Sequence, residues 1–396
     1  MAKRLIICCD GTWNFADQPS KTNVAKVALS VRPGSVAGKE QHVYYHSGVG
    51  AMRRERLRGG AFGFGLSRNV VDAYRFLVET YEPDDELFLF GFSRGAFTAR
   101  SLAGLVRNCG IVRRDHADRI REAWALYRDR IEQPSGAAAT LFRRSYARET
   151  EIHFIGVWDT VGALGVPVPD APWLQPAANW FNHRWAFHNT DLSRWVKGAF
   201  HALAIDEQRS VFRPTLWHQQ PGALERGQEL KQVWFAGVHC DAGGGYMETG
   251  LSDIPLLWMV DQARRFGLEF DADALSEAGP SEMKPDESID FRIRPDSSGD
   301  LHSSRTGLFR LAKPLHRPLG EAANDKSELD GNEFLAVPAK ERYDRNPGYR
   351  PPELVRYLAG QERVRLEPVL LPGLAAGLPP IPPAASDAPS GLDRAR

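Results

Sequence analysis

Ser93 is the residue of this sequence best suited to chemistry, because it occupies the centre of a Gly-x-Ser-x-Gly motif that runs from Gly91 to Gly95. A strand predicted at 86–90, apolar from 87 onward, precedes the motif, and a helix-forming stretch at 96–108 follows it. A strand, a tight turn and a helix in this order predict a nucleophile elbow, in which the serine hydroxyl stands exposed at the carboxyl edge of a sheet. The two glycines lack the Cβ that would collide with the packed strand and helix.

A serine hydroxyl becomes a strong nucleophile when an imidazole takes its proton and a carboxylate orients that imidazole. Asp159 directly follows the strand predicted at 152–158, and His239 follows the strand predicted at 232–238. Both side chains should therefore lie at the sheet edge that carries Ser93. The chain order serine, acid, histidine is also that of α/β-hydrolases. These positions predict a catalytic triad of Ser93, Asp159 and His239.

Other residues compete for the acid and base roles. Asp241 is an alternative acid, with His302 or His316 as its base, although an aspartate beside three successive glycines is equally suited to cap or support the turn. His201 precedes an apolar stretch that resembles the start of a core helix. We therefore interpret His201 as a buried, hydrogen-bonded supporting residue.

The negative charge that develops on a substrate carbonyl requires backbone N–H donors. Arg94, directly after the serine, should supply one donor, and the loop after the first strand, with Gly11 and Thr12, should supply another. Asp10 in the same loop is interpreted as a structural anchor. This chemistry requires no metal and no organic cofactor.

Two rival chemistries are disfavoured. An aspartyl phosphotransferase would need a second aspartate two residues from Asp10, where the sequence has Cys8 instead. Cys240 is adjacent to His239, but neighbouring side chains on an extended backbone point in opposite directions.

Apolar runs and amphipathic stretches alternate along the chain, which predicts an α/β fold of the α/β-hydrolase type. Its sheet should be mostly parallel, with helices on both faces. We expect one domain over residues 1–365, in which the sequence pattern is weaker over 275–365. An irregular cap insertion is predicted at about 166–230, and a Pro- and Ala-rich disordered tail at 366–396.

Composition narrows the function further. The formal net charge is zero, so no global basic field attracts nucleic acid. The four cysteines have no metal-ligand spacing and predict buried thiols in a reducing compartment. The apolar run at 5–9 is too short for a signal peptide, and no stretch reaches the length of a membrane span. We therefore expect synthesis in the cytoplasm without a leader.

Five segments together resemble a widespread α/β-hydrolase family that includes phospholipase effectors of bacterial type VI secretion. They are CDGTWN at 9–14, GFSRGA at 91–96, GVWDTVGA at 156–163, HALAIDE at 201–207 and GVHCDAGGGY at 237–246. The resemblance covers about residues 3–270. It implies a Ser-Asp-His triad on Ser93, Asp159 and His239, and activity on a phospholipid or another ester.

The resemblance leaves the biological setting open. It suggests non-classical export, with a delivery or immunity partner that the sequence does not identify. Tryptophans at 173–195 predict either transient contact with a membrane surface or packing beneath the cap. A soluble esterase with a non-lipid substrate, a non-catalytic interaction module and a toxin that acts after delivery into a neighbouring cell remain alternatives.

Overall fold

The structure is a computed structural model. It describes residues 2–11, 14, 18, 20–35, 38–48, 62–129, 133–161, 191–271, 273–275, 291–306, 310, 313–320, 332–360 and 364–370. Thr12, the tryptophans at 173, 180 and 185, and the predicted tail from residue 371 onward lie outside these residues.

Eight of the described strands form the main sheet, and in chain order they are β1 Arg4–Cys9, β2 Gln41–His46, β3 Glu86–Phe92, β4 Ile152–Trp158, β5 Val196–Ala204, β6 Glu229–Phe235, β7 Glu333–Ala336 and β8 Leu366–Glu367. All neighbouring pairs are parallel, and the spatial order is β2-β1-β3-β4-β5-β6-β7-β8. Two pairs of two-residue strands lie outside this sheet: Ile111–Val112 with Ala147–Arg148, and Asp191–Leu192 with His218–Gln219.

Helices cover both faces of the sheet, as the sequence predicts. The α-helices of the described residues are α1 Asn23–Ser30, α2 Phe62–Thr80, α3 Arg94–Cys109, α4 Ile120–Arg128, α5 Ala137–Tyr146, α6 His239–Gly243, α7 Gly250–Arg265, α8 Val337–Arg345 and α9 Pro352–Gly360. Short 3₁₀ turns occupy Arg114–Arg119, Ser210–Phe212 and Asp273–Leu275.

Alternation along β1 explains why both faces need helices. Ile6 and Cys8 pack into one core with α1, α7, α8 and α9, whereas Leu5, Ile7 and Cys9 pack into the other core with α2 to α5. Successive side chains of a strand point to opposite faces, so a strand buried on both sides reads as a continuous apolar run. The mostly parallel α/β architecture predicted from the sequence is confirmed.

The strand order reverses between β1 and β3, because β2 lies on one side of β1 and β3 on the other. At such a switch point the loops that follow the two strands turn to opposite faces and leave a crevice at the carboxyl ends. The turn with Ser93 follows β3, and the loop with Gly11 follows β1. The fold therefore places both segments beside that crevice.

Several sequence expectations need correction. Val196–Ala204 is a central strand, so the range 166–230 is not an irregular insertion throughout. Residues 114–148 form a 3₁₀ turn, α4, α5 and the strand Ala147–Arg148, which pairs antiparallel with Ile111–Val112. The part of the chain beyond residue 275 supplies β7 and β8, which extend the same sheet. Its pattern is weak because these strands have only four and two residues.

The first turn of α7 contains Ser252 and Asp253, and Thr249 precedes the helix. Asp253 pairs with Lys26, whose Nζ lies 2.5 Å from its Oδ1 with both side chains buried. This ion pair joins α7 to α1 beneath the carboxyl edge of the sheet.

Candidate active site

Ser93 occupies the turn between β3 and α3 with a strained backbone. Its φ of 57° and ψ of −117° lie where residues other than glycine are uncommon. Its N–H donates to the carbonyl oxygen of Trp158 at the end of β4, 3.0 Å away. Only 7% of the residue is exposed, because the turn is enclosed by the ends of β1 and β4. The residue as a whole is therefore mostly covered, whereas the sequence motif predicts a serine exposed at the sheet edge.

The glycines on either side of Ser93 are required by close backbone approach. A Cβ on Gly91 would lie 2.5 Å from the carbonyl oxygen of Gly95, and a Cβ on Gly95 would collide with the carbonyl of Cys9. Both neighbours are main chain and cannot swing away. The strand, turn and helix of the predicted elbow are therefore all present, and the glycines have the role that the motif assigns to them.

Asp159 and His239 meet at the carboxyl edge of the sheet. Nδ1 of His239 lies 2.5 Å from Oδ2 of Asp159, and both residues are buried. Asp159 directly follows β4 with a φ of 41°, and its Oδ1 accepts a hydrogen bond from the Ala204 N–H at 3.1 Å. His239 opens α6. The structure thus brings together the two side chains that the sequence pairs only through their positions after strands.

Aromatic rings hold the imidazole of His239 beside the serine turn. Phe92, which precedes Ser93, packs on one side with its ring centroid 4.7 Å from that of His239. Phe212 meets the ring edge-on at 4.6 Å. A Cβ on Gly243 would overlap the Phe92 ring, which explains the first glycine of the triple-glycine run. Among the described residues the Ser93 hydroxyl forms no hydrogen bond to His239, and such bonds are often long before substrate binds.

A buried arginine that sequence reasoning missed completes the environment of Asp159. Arg317 donates from Nη1 to Oδ1 of Asp159 at 2.6 Å and from Nη2 to Oδ2 at 3.0 Å. It lies in a stretch without clear helix or strand periodicity. No sequence signal identified it.

Burial and the neighbouring charges shift the pKa values of both Asp159 and His239. Burial by itself raises the pKa of the Asp159 carboxyl, but the Arg317 charge and the contact with His239 lower it well below its usual value. Burial lowers the pKa of His239, and the hydrogen bond and charge of Asp159 only partly offset that effect. The pair therefore favours an ionised aspartate and a neutral imidazole, which is the state of a general base.

Glu207 fixes the backbone of His239 from the end of the HALAIDE segment. Its Oε2 accepts a hydrogen bond from the His239 N–H at 3.3 Å. Arg209 in turn donates to both oxygens of Glu207, from Nε at 2.9 Å and from Nη2 at 2.8 Å. The sequence motif contained Glu207, but its spacing gave no reason to connect it with His239.

The alternative acid and base form a second pair. Oδ1 of Asp241 lies 2.6 Å from Nδ1 of His302, whereas its Oδ2 accepts a hydrogen bond from the Val238 N–H at 2.9 Å. The latter contact caps the turn before α6, as one of our two interpretations predicts. His316 is exposed, and no described contact joins it to Asp241.

The loop after β1 only partly fits the oxyanion expectation. The Gly11 N–H donates to Oδ1 of Asp10 at 2.6 Å, so it is already engaged and does not match the predicted role as an oxyanion donor. Asp10 also accepts hydrogen bonds from the hydroxyls of Thr22 and Tyr45, both at 2.6 Å, which agrees with a structural anchor. Thr12 lies outside the described residues. Arg94 is the first residue of α3, so its backbone lies next to Ser93.

His201 is a buried supporting residue on a strand. It lies within β5 rather than at a helix start, and its Nε2 accepts a hydrogen bond from the Thr160 N–H at 3.1 Å. Burial lowers the pKa of His201 to about 3, so the ring is neutral. The predicted helix start at His201 is wrong. The segment is a strand whose side chains point alternately into the cores on the two faces of the sheet.

Membrane-related expectations are tested only in part. The ring of half-buried Trp195 contacts the guanidinium groups of Arg107 and Arg226, 5.0 and 4.6 Å from its centroid, and the choice between membrane contact and packing beneath a cap stays a prediction. No described helix combines the length and apolar character needed to cross a bilayer.

Two known proteins have partial similarity to this chain. "Uncharacterized protein YEL023C" of Saccharomyces cerevisiae is 30% identical over 244 residues, which are 55% of this chain and 33% of the yeast protein. A crystal structure of an uncharacterized protein from Pseudomonas aeruginosa matches with a TM-score of 0.41 and 20% identity, over 74% of this chain and 49% of that one. The chain thus spans a third to a half of the length of these relatives.

A family model matches over most of the chain and includes all five sequence segments. It covers residues 3–262 and is described as "T6SS, Phospholipase effector Tle1-like, catalytic domain". The matched range contains Ser93, Asp159 and His239, and it ends before Arg317. This chain belongs to the family of Tle1-like phospholipase effector catalytic domains of type VI secretion systems.

Proposed function

We propose that this protein hydrolyses carboxylic ester bonds of phospholipids through an acyl-enzyme on Ser93. The observation that carries the proposal is the buried Asp159–His239 pair, held by Phe92 directly beside a serine on a strained elbow. Membership of a phospholipase family supports the substrate class.

Each residue of the proposed triad has a distinct task. Nε2 of His239 takes the proton of Ser93 as Oγ attacks the ester carbonyl carbon. Asp159 holds the Nδ1 side of the ring and stabilises the imidazolium that forms. The tetrahedral intermediate collapses, the proton passes from His239 to the departing alkoxide, and the fatty acyl group remains on Ser93.

Deacylation uses the same groups in a second addition. Water gives its proton to His239 as its oxygen attacks the acyl carbon, and the proton then returns to the Ser93 oxygen when the fatty acid leaves. The oxyanion is held by the Arg94 N–H at the start of α3 and by a donor from the loop after β1, where Thr12 remains the prediction. The lipid-facing cap also remains a prediction, because residues 162–190 lie outside the described chain.

The test compares phospholipid hydrolysis by the wild type, Ser93→Ala and Ser298→Ala. Ser298 is an exposed serine far along the chain and serves as the matched control. Vesicles of mixed phosphatidylcholine and phosphatidylglycerol are incubated with purified protein, and released fatty acid and lysolipid are measured by mass spectrometry. We expect Ser93→Ala to lose about 10⁴-fold or more of the rate, because the nucleophile is absent, and Ser298→Ala to retain it.

Two other outcomes would redirect the proposal. Full activity in a folded Ser93→Ala protein would exclude this mechanism. Ser93-dependent hydrolysis of a soluble ester without any turnover of vesicles would keep the triad and replace the lipid substrate with a non-lipid one.

A further inference from the structure

Arg317 forms the most extensive set of polar contacts with the candidate site, and it lies outside the range matched by the family model. Besides both oxygens of Asp159, its guanidinium donates to the carbonyl oxygens of Ala204 at 2.7 Å and Phe212 at 2.5 Å. Only 1% of the residue is exposed. The one side chain therefore connects the triad acid, the end of β5 and the turn that carries a ring packed on His239.

We propose that Arg317 is a positioning residue of the catalytic centre, which holds the Asp159 carboxylate in the orientation that meets His239 and keeps hydrolysis active at lower pH. This inference rests on the proposed function, because it assigns a role within the same triad.

The geometry requires a guanidinium rather than any cation. Two nitrogens of a planar fork contact the two oxygens of Asp159, so the carboxylate plane is fixed relative to the fork. A lysine ammonium at the same place is a point charge and cannot define that plane. Orientation matters here because Oδ2 must also accept the Nδ1–H of His239.

Charge balance gives the second part of the role. Asp159 is fully buried, and a buried carboxylate without a cation is strongly destabilised. Arg317 supplies that cation permanently, whereas His239 is charged only during turnover. Since Oδ2 is shared between Arg317 and His239, the arginine also limits how strongly the aspartate stabilises the imidazolium.

The remaining charged groups near the pair do not replace Arg317. His201 faces Asp159 from β5 but is neutral, and Cys240, beside His239, is a half-buried thiol whose pKa burial raises to about 12. Glu207 and Arg209 face His239 and are paired with each other. Loss of Arg317 therefore removes the charge partner that Asp159 has in the resting site.

Losing Arg317 has two consequences, and both raise the pH below which the site loses activity. Asp159 would take up a proton at higher pH, and a carboxylate no longer shared with the guanidinium would stabilise the His239 imidazolium more strongly. Each change extends the range of pH over which the site is inactive. The low-pH limb of kcat/KM should therefore move upward.

The test uses full-length Arg317→Gln and Arg317→Lys, with Arg342→Gln as the control. Arg342 is another buried arginine from the C-terminal part of the chain, and its Nη1 donates to the backbone carbonyl oxygens of Ser297 and Gly299, both at 2.8 Å. Profiles of kcat/KM against pH are measured with p-nitrophenyl butyrate. We expect Arg317→Gln to shift the low-pH limb upward by about one pH unit or more, and Arg317→Lys to shift it by less.

A shift of one pH unit lowers kcat/KM of the variant about tenfold relative to the wild type, at pH values below the midpoints of both low-pH limbs. Arg342→Gln should lower Tm without moving the limb, which separates a structural role from the proposed one. If Arg317→Gln does not fold, the Arg317→Lys variant tests the inference. A pH profile of Arg317→Lys equal to that of the wild type would show that the guanidinium fork is not needed.

An unshifted limb in folded Arg317→Gln also overturns the inference. The proposed function fails differently: Ser93→Ala would then retain activity towards the same ester. Ser93-dependent turnover together with an unshifted Arg317→Gln profile would therefore reject the positioning role alone.

Discussion

Two aspartate–histidine pairs lie on either side of Cys240, and their local geometry is nearly the same. Nδ1 of His239 lies 2.5 Å from Asp159, and Nδ1 of His302 lies 2.6 Å from Asp241. Their surroundings differ. His239 is buried between Phe92 and Phe212 beside the serine elbow, whereas the His302 side chain is 23% exposed and stacks on Tyr246 at 3.9 Å.

The second ring nitrogen separates the two pairs further. Nε2 of His302 lies 3.3 Å from a carboxylate oxygen of Glu248, so both of its nitrogens are engaged. No described residue bonds to Nε2 of His239, which is the nitrogen that the proposed mechanism uses as the base. An aspartate beside a histidine is therefore insufficient to identify a catalytic base; the other nitrogen must also face the reacting atom.

The histidine substitutions should separate the pairs most strongly. His239→Gln should lower kcat/KM by about 10⁵- to 10⁶-fold, because the glutamine cannot take the serine proton. His302→Gln should leave kcat/KM unchanged within the error of the assay. Parallel kinetics on a soluble ester, with melting curves as a check of folding, measure this difference, and a larger loss in His302→Gln would reverse the assignment.

The matching aspartate substitutions should give the next largest difference. Asp159→Asn should cost about 10⁴-fold in kcat, since an amide beside His239 no longer selects the productive tautomer. Asp241→Asn keeps an oxygen acceptor for the Val238 N–H and should mainly affect stability. Comparable rates in Asp159→Asn and the wild type would show that Asp159 is not the triad acid.

Substitution of Gly243, in the short helix that begins at His239, tests whether packing against Phe92 positions the first pair. Gly243→Ala places a methyl group into the Phe92 ring, and we expect a loss of about 1–3 kcal/mol in the free energy of unfolding. Gly34 has no heavy atom within 4 Å of its added Cβ, so Gly34→Ala serves as the control. Urea denaturation of both variants gives the comparison, and equal stabilities would mean that the packing of Phe92 does not restrain α6.

The pH dependence of the wild type should show the state of the first pair. Because burial lowers the pKa of His239, the low-pH limb of kcat/KM should have its midpoint below about 6.5. His239 and Asp159 both have a lower pKa in the folded protein than in the unfolded chain. As the pH falls, the unfolded chain therefore takes up a proton on each group before the folded protein does. Stability contributed by both groups is therefore present above their usual pKa values and is lost as pH falls. If the low-pH limb of the wild type had its midpoint above pH 6.5 and disappeared in His302→Gln, the titrating group would belong to the second pair.

The sequence predicted the elements of the first pair well. Continuous apolar runs identified the parallel strands, and residues directly after those runs must meet at one sheet edge, so the placement of Ser93, Asp159 and His239 at that edge could be predicted from position alone. The same reasoning could not choose between Asp159 and Asp241, because both are near the same edge. Their hydrogen-bond partners distinguish them, and those are set by turn geometry.

Other features had no sequence signal. Arg317 lies in a stretch without periodicity, and its contact with Asp159 depends on how a distant segment folds over the sheet edge. The strand β5 was missed because a short alternating stretch resembles the start of a buried helix when read alone. The engagement of the Gly11 N–H by Asp10 is a local side-chain contact that no spacing rule indicates.

Covalent labelling of Ser93 tests the central claim most directly. Wild type, His239→Gln and His302→Gln are each treated with a fluorophosphonate probe at pH 7.5, and the modified peptide is identified by mass spectrometry. The account predicts that Ser93 alone is labelled in the wild type and in His302→Gln, and that His239→Gln labels far more slowly. An unlabelled Ser93 in cooperatively folded wild type, or labelling that depends on His302 and not on His239, would contradict it.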